Sequence, residues 1–264
     1  MAGRSALALL VALLGAGCRA LREAESPAGP HFRVLTYNVN WGAPRPDLAL
    51  DLVRSSGADV VCLQETTPEW EELLRRELGG EYAFMDFRQS RGRMGGGLGF
   101  LSRGPAREVA YVPSDSGWFD AWILALETPC GPVQILNLHL RPPLSDGGSW
   151  VSGYFSTPGE RVREIERFHA RRDPRLPILA AGDFNDIGGS PVLEWLEREG
   201  LTNALSEFDA YTPTWEWRSS LATLRRRMDH ILYSRELHCS SARVLRGGAS
   251  DHFPVEAVFT RQGG

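Results

Sequence analysis

The stretch Ile178-Leu179-Ala180-Ala181-Gly182-Asp183-Phe184-Asn185 decides how the chain is read. An apolar run of this kind reads as a buried strand, yet it finishes in a carboxylate and an amide. On a strand, side chains two apart share a face, so Asp183 and Asn185 are expected to point together off the end of a sheet. Gly182 lets backbone or ligand approach closely. A turn or cap explains one such ending, because Asp and Asn are common after strands. The pattern recurs, however, at Thr36-Tyr37-Asn38-Val39-Asn40, Leu63-Gln64-Glu65-Thr66, Asn137-Leu138-His139-Leu140 and Ser250-Asp251-His252-Phe253-Pro254. Met228-Asp229-His230-Ile231-Leu232 also sets a carboxylate inside an apolar strand. Singly, each has a bland explanation: Glu65 an N-cap, Asp229 a satisfied buried acid, His139 a core histidine. Jointly they would require one core to bury many polar and charged groups, at several kcal/mol for each unpaired charge. Convergence on one shared site costs less.

The chain has 264 residues and 42% hydrophobic content, enough for one large core or two small ones. Its 28 Gly and 17 Pro suit many short strands and turns. A formal net charge of -4 argues against a strongly basic, nonspecific nucleic-acid binder. All 29 basic residues are arginine, which rules out a Schiff-base or lysine-nucleophile enzyme. An odd number of cysteines after Cys18 (Cys62, Cys130 and Cys239) argues against a disulfide framework. None has metal-thiolate spacing.

Residues 1–18 read as an export signal: Arg4, then the apolar stretch Ala6 to Leu14, then Gly15-Ala16-Gly17-Cys18. Cys18 after small residues resembles a bacterial lipoprotein cleavage box, with Leu14 one place further from the cysteine than usual. The expected location is the bacterial cell envelope, with a lipid anchor at Cys18 holding the protein to the membrane; the alternative is plain secretion. Residues 19–30 read as a polar tether and 31–264 as the folded domain, expected to act as a monomer. Strands are expected over Phe32–Val39, Asp59–Gln64, Tyr82–Phe87, Leu98–Ser102, Glu108–Val112, Trp118–Leu126, Val133–Leu140, Leu176–Gly182, Met228–Tyr233, Ser241–Leu245 and Pro254–Phe259. Helices are expected over Pro46–Ser56, Thr67–Leu78, Gly159–Ala170 and Pro191–Arg198, with a long loop over Arg141–Pro158. Strands outnumber helices, and helices alternate with strands in two blocks. The fold class that follows is α/β, two stacked sheets with helices outside.

With these residues in hand, the chain resembles the endonuclease/exonuclease/phosphatase superfamily, whose fold is DNase I-like. The resemblance rests on an ordered set: Thr36-Tyr37-Asn38, Leu63-Gln64-Glu65, Gly182-Asp183-Phe184-Asn185, Asp229 in a late strand, and Ser250-Asp251-His252. Tyr211-Thr212-Pro213-Thr214-Trp215 is similar to the aromatic-threonine segment that often precedes the late Asp. The resemblance implies a four-layer α-β-β-α sandwich and a divalent-metal-dependent phosphoesterase that uses Mg²⁺ or Mn²⁺. It implies Glu65 as principal metal ligand, with Asn38 nearby and Asp251 as a further metal or water-orienting acid. Asp183 then orients or deprotonates the attacking water, Asn185 donates hydrogen bonds to the phosphate, and Asp229 pairs with His252 to keep that imidazole protonated. His139 matches a proposed proton donor to the leaving group. Where DNase-type members place an acid upstream of that histidine, this chain has Met94-Gly95-Gly96-Gly97.

The implied activity is a phosphodiesterase or nuclease acting on nucleic acid. The alternatives are a membrane-associated phospholipid or inositol-phosphate phosphoesterase and, in another class, a catalytically inactive binding module. Arg225-Arg226-Arg227 either grips phosphate, with Arg227 the substrate contact, or is a solvated loop. Trp150, Tyr154 and Phe155 either stack a base, touch a lipid surface, or fold onto one another. Trp215 and Trp217 carry the same alternatives.

Overall fold

A computed structural model describes residues 21–89, 95–145, 147–149, 152–153, 156–186, 190–220 and 222–262. In chain order, β1 (Phe32–Asn38), α1 (Pro46–Ser56), β2 (Val60–Thr66), α2 (Pro68–Leu78), β3 (Phe84–Arg88) and β4 (Gly97–Ser102) come first. β5 (Ala106–Val112), β6 (Ala121–Thr128) and β7 (Gly131–His139) form a meander. α3 (Pro158–His169), β8 (Ile178–Asp183), α4 (Pro191–Arg198), β9 (Leu201–Asn203) and α5 (Ala204–Phe208) follow. The chain closes with a hairpin, β10 (Trp215–Arg218) and β11 (Thr223–Arg226), then β12 (Asp229–Ser234), β13 (Leu237–Val244) and β14 (Val255–Arg261).

Local chemistry sets the helices. α1 opens on Pro46, whose missing N–H costs nothing in a first turn, and stops at Gly57 in the left-handed conformation (φ 63°). α2 is capped by Thr67, whose side chain accepts from Trp70 N.

The strands form two six-stranded mixed sheets, ordered β13-β14-β1-β2-β4-β3 and β5-β6-β7-β8-β12-β9. Alternation along each strand then sorts the core into three layers. Phe32 and Val34 of β1, Val60 and Cys62 of β2, and Ile135, Leu179 and Ile231 of the second sheet meet between the sheets. Leu35, Tyr37, Val61 and Leu63 face α1 and α2 on one outer side. Leu136, Leu138, Ala180 and Leu232 face α3 and α4 on the other. The α-β-β-α sandwich is therefore present.

At one end of the middle layer the inward series turns polar: Thr36, Gln64 and Asn137 follow the apolar residues in phase. Gln64 Nε2 donates to Asn137 Oδ1 at 2.8 Å and to Thr36 Oγ1 at 3.1 Å. Asn137 Nδ2 donates to Gly99 O at 2.9 Å. These amides bridge the two sheets, and all three side chains are buried. Gln64→Leu is expected to lower the unfolding free energy by about 1–3 kcal/mol, because Asn137 Oδ1 loses its donor in a dry layer. A urea titration reads this as a lower midpoint; an unchanged midpoint would mean the bridge contributes nothing.

Some expectations are corrected. The hairpin β10–β11, together with β9 and α5, was not anticipated, because four-residue strands leave little periodic signal. β6 begins at Ala121 rather than Trp118, since Asp120 is held in a loop by Ser114 N and Tyr111. The described part of the segment read as a polar tether makes contacts with the domain. Arg22 N donates to Glu207 O at 2.7 Å, Glu25 N donates to Ser240 O at 2.8 Å, and the Arg22 guanidinium lies 4.8 Å over the Phe208 ring. Cys18 and the aromatics Trp150, Tyr154 and Phe155 lie outside the described residues.

Candidate active site

The same alternation that builds the middle core delivers the site. Asn38 continues the inward series of β1, His139 that of β7, Asp183 that of β8, and Asp229 opens that of β12. β8 and β12 are antiparallel, with Asp183 and Asp229 directly paired. β7 and β8 are parallel, with His139 beside Asp183. Gly182 permits this: a Cβ there would stand 1.9 Å from Leu138 O.

Glu65 breaks the pattern in an informative way. By strict alternation it would point to the helices, but a register shift between Gln64 and Thr66 marks a bulge, and Glu65 takes φ 60°. A non-glycine residue in this region is uncommon and costs roughly 1–2 kcal/mol. The bulge turns its carboxylate back towards Asn38. Asn40 (φ 56°) and Asn185 (φ 48°) are held in the same left-handed region. Such strain clusters at functional sites. For Asn185 it also corrects the strand argument: β8 ends at Asp183, and Asn185 reaches the site through a turn, its N–H donating to Asp183 Oδ1 at 2.8 Å.

The side chains form one network. Asn38 Nδ2 donates to Glu65 Oε1 at 2.9 Å and to Asp183 Oδ2 at 3.1 Å, so one amide holds two carboxylates. Asn40 Nδ2 donates to Asp251 Oδ1 at 2.8 Å, and Trp215 Nε1 donates to Asp251 Oδ2 at 2.9 Å. His252 Nδ1 lies 2.9 Å from Asp229 Oδ2, and its Nε2 lies 3.7 Å from Asp183 Oδ2. Asn185 Nδ2 donates to Leu140 O at 2.9 Å.

Electrostatics separate the two histidines. Burial works against the charged form of His252, but Asp229 and Asp183 outweigh it and raise its pKa well above the ordinary histidine range. His139 goes the other way: burial and the neighbouring His252 hold its pKa well below the ordinary value. Its 3.4 Å approach to Asp183 is therefore not an ion pair. The His139 ring stacks on Phe119 with centroids 3.7 Å apart, and its Nδ1 has no hydrogen-bond partner among the described residues. Burial is also the main cause that raises Asp183, with His252 pulling it down and Asp229 pushing it further up. Burial raises Glu65 too, opposed first by its bond from Asn38.

These groups meet at a cleft of about 230 Å³ lined by Glu65, His139, Asp183, Asn185, Asp251 and His252, with Phe119, Trp215 and Trp217 at its walls. No arginine lies among the described lining residues. Glu65, Asp183, Asp229 and Asp251 thus outnumber the one cationic side chain, His252. A surplus of carboxylate, two of the four groups buried and two half-buried, fits a hard divalent cation. Asp183, Asp229 and His252 offer ligand atoms within 4.8 Å of one another. His252 Nδ1 is already committed to Asp229 there. Glu65 and Asp251 line the same cleft, and the Asn38 side-chain oxygen accepts from Asn40 N at 3.0 Å.

Arg227 does not line this cleft among the described residues: its guanidinium donates to Asp209 O at 3.4 Å and to Ala210 O at 2.5 Å, and it lines a separate cavity with Glu194 and Asn203. Arg225 is paired to Glu216 at 2.6 Å. Thr214 has a role that residue type alone did not reveal. Its Oγ1 accepts from both Met228 N and Asp229 N at 2.9 Å, fixing the entry to β12. The Thr-Pro-Thr-Trp segment was the available signal. Glu216 N also donates to Asp251 O at 2.9 Å, which seats Trp215 beside Asp251.

The model of the Endonuclease/Exonuclease/phosphatase family matches residues 35–252. Comparison with curated proteins by sequence finds no match. Among solved structures, an endonuclease/exonuclease/phosphatase from Beutenbergia cavernae is 19% identical, covers 89% of this chain and 72% of its own, and gives a TM-score of 0.64. A family protein from Bacteroides thetaiotaomicron is 19% identical over 87% of this chain and 97% of its own, with a TM-score of 0.65. The TDP2 of D. rerio, complexed with a single-strand DNA product, is 15% identical over 87% of this chain and 99% of its own, also at 0.65. The paired six-stranded sheets match the DNase I-like fold of these neighbours.

Proposed function

The chain belongs to the endonuclease/exonuclease/phosphatase family, and from that premise we propose that it is a Mg²⁺-dependent phosphodiesterase acting on nucleic acid. Members of the family are phosphoester hydrolases, and this fold supports metal-dependent phosphoester hydrolysis. The observation that carries the finer reading is the charge of the cleft. A phosphodiester is an anion, the described lining residues offer one cationic side chain, and the surrounding carboxylates require a counter-cation. Glu65, with Asn38 and Asp251, would hold a divalent cation, which would supply positive charge against the phosphate.

The chain's own residues do the rest. Asp183, made more basic by burial, orients a water and accepts its proton; a base whose pKa lies nearer neutrality does this better. Asn185 spends one amide N–H on Leu140 O and has a second for the phosphate. His252 stays an imidazolium because Asp229 holds Nδ1, which leaves Nε2 to donate to a phosphate oxygen as charge develops. His139, kept neutral, is a weak candidate for the leaving-group acid and serves as a hydrogen-bonding wall beside Asp183.

The pH profile follows from this assignment. Asp229 raises the His252 pKa, so the imidazolium persists above neutrality and is lost as pH rises through that raised value. Asp229→Asn is expected to move the alkaline limb of kcat/KM to lower pH. An unmoved limb would remove His252 as its source.

We propose further that the protein is exported to the bacterial envelope and lipidated at Cys18, on the strength of the Ala6–Cys18 sequence. A second reading, a phospholipid phosphoesterase at the membrane, is favoured by one feature: Trp217, which lines the cleft, lies opposite Leu224 on the hairpin, and the two are 50% and 42% exposed. Rates on single-stranded DNA, sphingomyelin vesicles and inositol phosphates separate these readings. Preference for DNA is expected; preference for vesicles overturns the nucleic-acid assignment.

A further inference from the structure

Beside the catalytic cleft lies a larger cavity, of about 740 Å³, within the range of small-molecule pockets. The two share a wall. Trp41 N donates to Glu65 Oε2 at 3.3 Å. Gly95 lies so close that a Cβ on it would stand 2.7 Å from Trp41 Cδ1 and 3.4 Å from Glu65 Oε2. The Trp41 indole is 47% exposed at the rim, while Trp70 and Leu73 give the cavity an apolar side.

Its polar groups are unusual. Thr66 is 1% exposed and lines the cavity, yet its Oγ1 has no hydrogen-bond partner among the described residues. The Nε2 of Gln89 is buried without a partner in the same cavity. Both stand against Gly97, where a Cβ would come within 2.6 Å of Gln89 Oε1 and 2.8 Å of Thr66 Oγ1. Buried polar atoms left unpaired are costly and ask for a ligand that satisfies them.

We infer that this cavity is a nucleobase subsite, which takes the base of a nucleotide adjoining the scissile phosphate, stacks it at Trp41 and bonds its edge to Thr66 and Gln89. The inference rests on the phosphodiesterase reading above and narrows its substrate. A phosphate does not suit the cavity, because the Glu69 carboxylate that lines it repels an anion and because a phosphate offers no flat face to the Trp41 indole. An acyl chain would fill the apolar side but leave the Thr66 hydroxyl and the Gln89 amide desolvated and unpaired. A base has a flat face for an indole and donors and acceptors on its edge, so it meets both demands.

The test compares kcat/KM of the purified protein on a single-stranded oligonucleotide and on a matched strand of baseless tetrahydrofuran nucleotides. The wild type is expected to favour the base-bearing strand by about tenfold or more. Trp41→Ala is expected to reduce that ratio by about tenfold, and Thr66→Val, which keeps the shape and removes the hydroxyl, by about threefold. Ratios unchanged in both variants, or equal losses on both strands, overturn the subsite. So does a Trp41→Ala effect confined to phosphatidylcholine vesicles. If the wild type cleaves neither strand, the phosphodiesterase reading fails by itself. Equilibrium dialysis of a nucleoside monophosphate then reads the subsite alone. Tighter retention by wild type than by Trp41→Ala supports it, and equal retention overturns it.

Discussion

Asp183→Asn is expected to lower kcat by about 10²–10⁴-fold, the usual contribution of a positioned general base. The substitution preserves size, and the new side-chain oxygen still accepts from Asn185 N, so the turn after β8 keeps its anchor. What goes is the basicity that burial confers on the carboxyl. Steady-state rates on an oligonucleotide, with circular dichroism to confirm folding, decide the matter. A folded variant with wild-type kcat would show that the water is activated elsewhere. A rise in KM with kcat intact would show that Asp183 binds substrate and does not act on the water.

His252→Gln should rank next, at about 10²–10³-fold in kcat, as for loss of one preorganised donor to a developing oxyanion. Here the donor is also the cation that balances Asp229 and Asp183. Its removal leaves Asp229 buried without its partner, so the loss includes stability as well as rate. The double variant Asp229→Asn/His252→Gln separates the two effects. If the pair acts as a unit, the double variant is no slower than His252→Gln alone and is more stable than it. Additive losses in rate would mean that Asp229 and His252 act independently.

Much of this site could be read in the sequence because it obeys the alternation of its strands. Asn38, His139 and Asp183 end inward series that begin apolar, and Asp229 opens one that continues apolar at Ile231. A polar residue in phase with a buried series is legible without a structure. Glu65 and Asn185 were named for their residue type, but their geometry was not legible, since each reaches the cleft through a left-handed residue rather than a strand face. A run of arginines carries no information about partners, and the Asp209 and Ala210 carbonyls that accept from the Arg227 guanidinium were not legible. The hairpin was hidden for a different reason. Its seat beside the cleft comes from Thr214 and from the pairing of Glu216 N with Asp251 O, contacts between segments far apart in the chain. The bridge of Gln64 and Asn137 was visible as amides in apolar strands, but only the stacking of the sheets makes them partners.

The contrast between the histidines also needed three dimensions. Both precede apolar residues and both are buried. Asp229 and Asp183 hold the pKa of one up, while burial and the neighbouring His252 hold the other's down.

The central claim is that a divalent cation completes a cleft in which carboxylates outnumber cations, and that the product is a cut phosphodiester. The measurement that meets it most directly is hydrolysis of a single-stranded oligonucleotide by the purified protein, before chelation, after chelation, and after Mg²⁺ is returned. The account predicts cleavage that stops on chelation and recovers with Mg²⁺. Cleavage that persists in chelator, or none with any divalent cation, would contradict it.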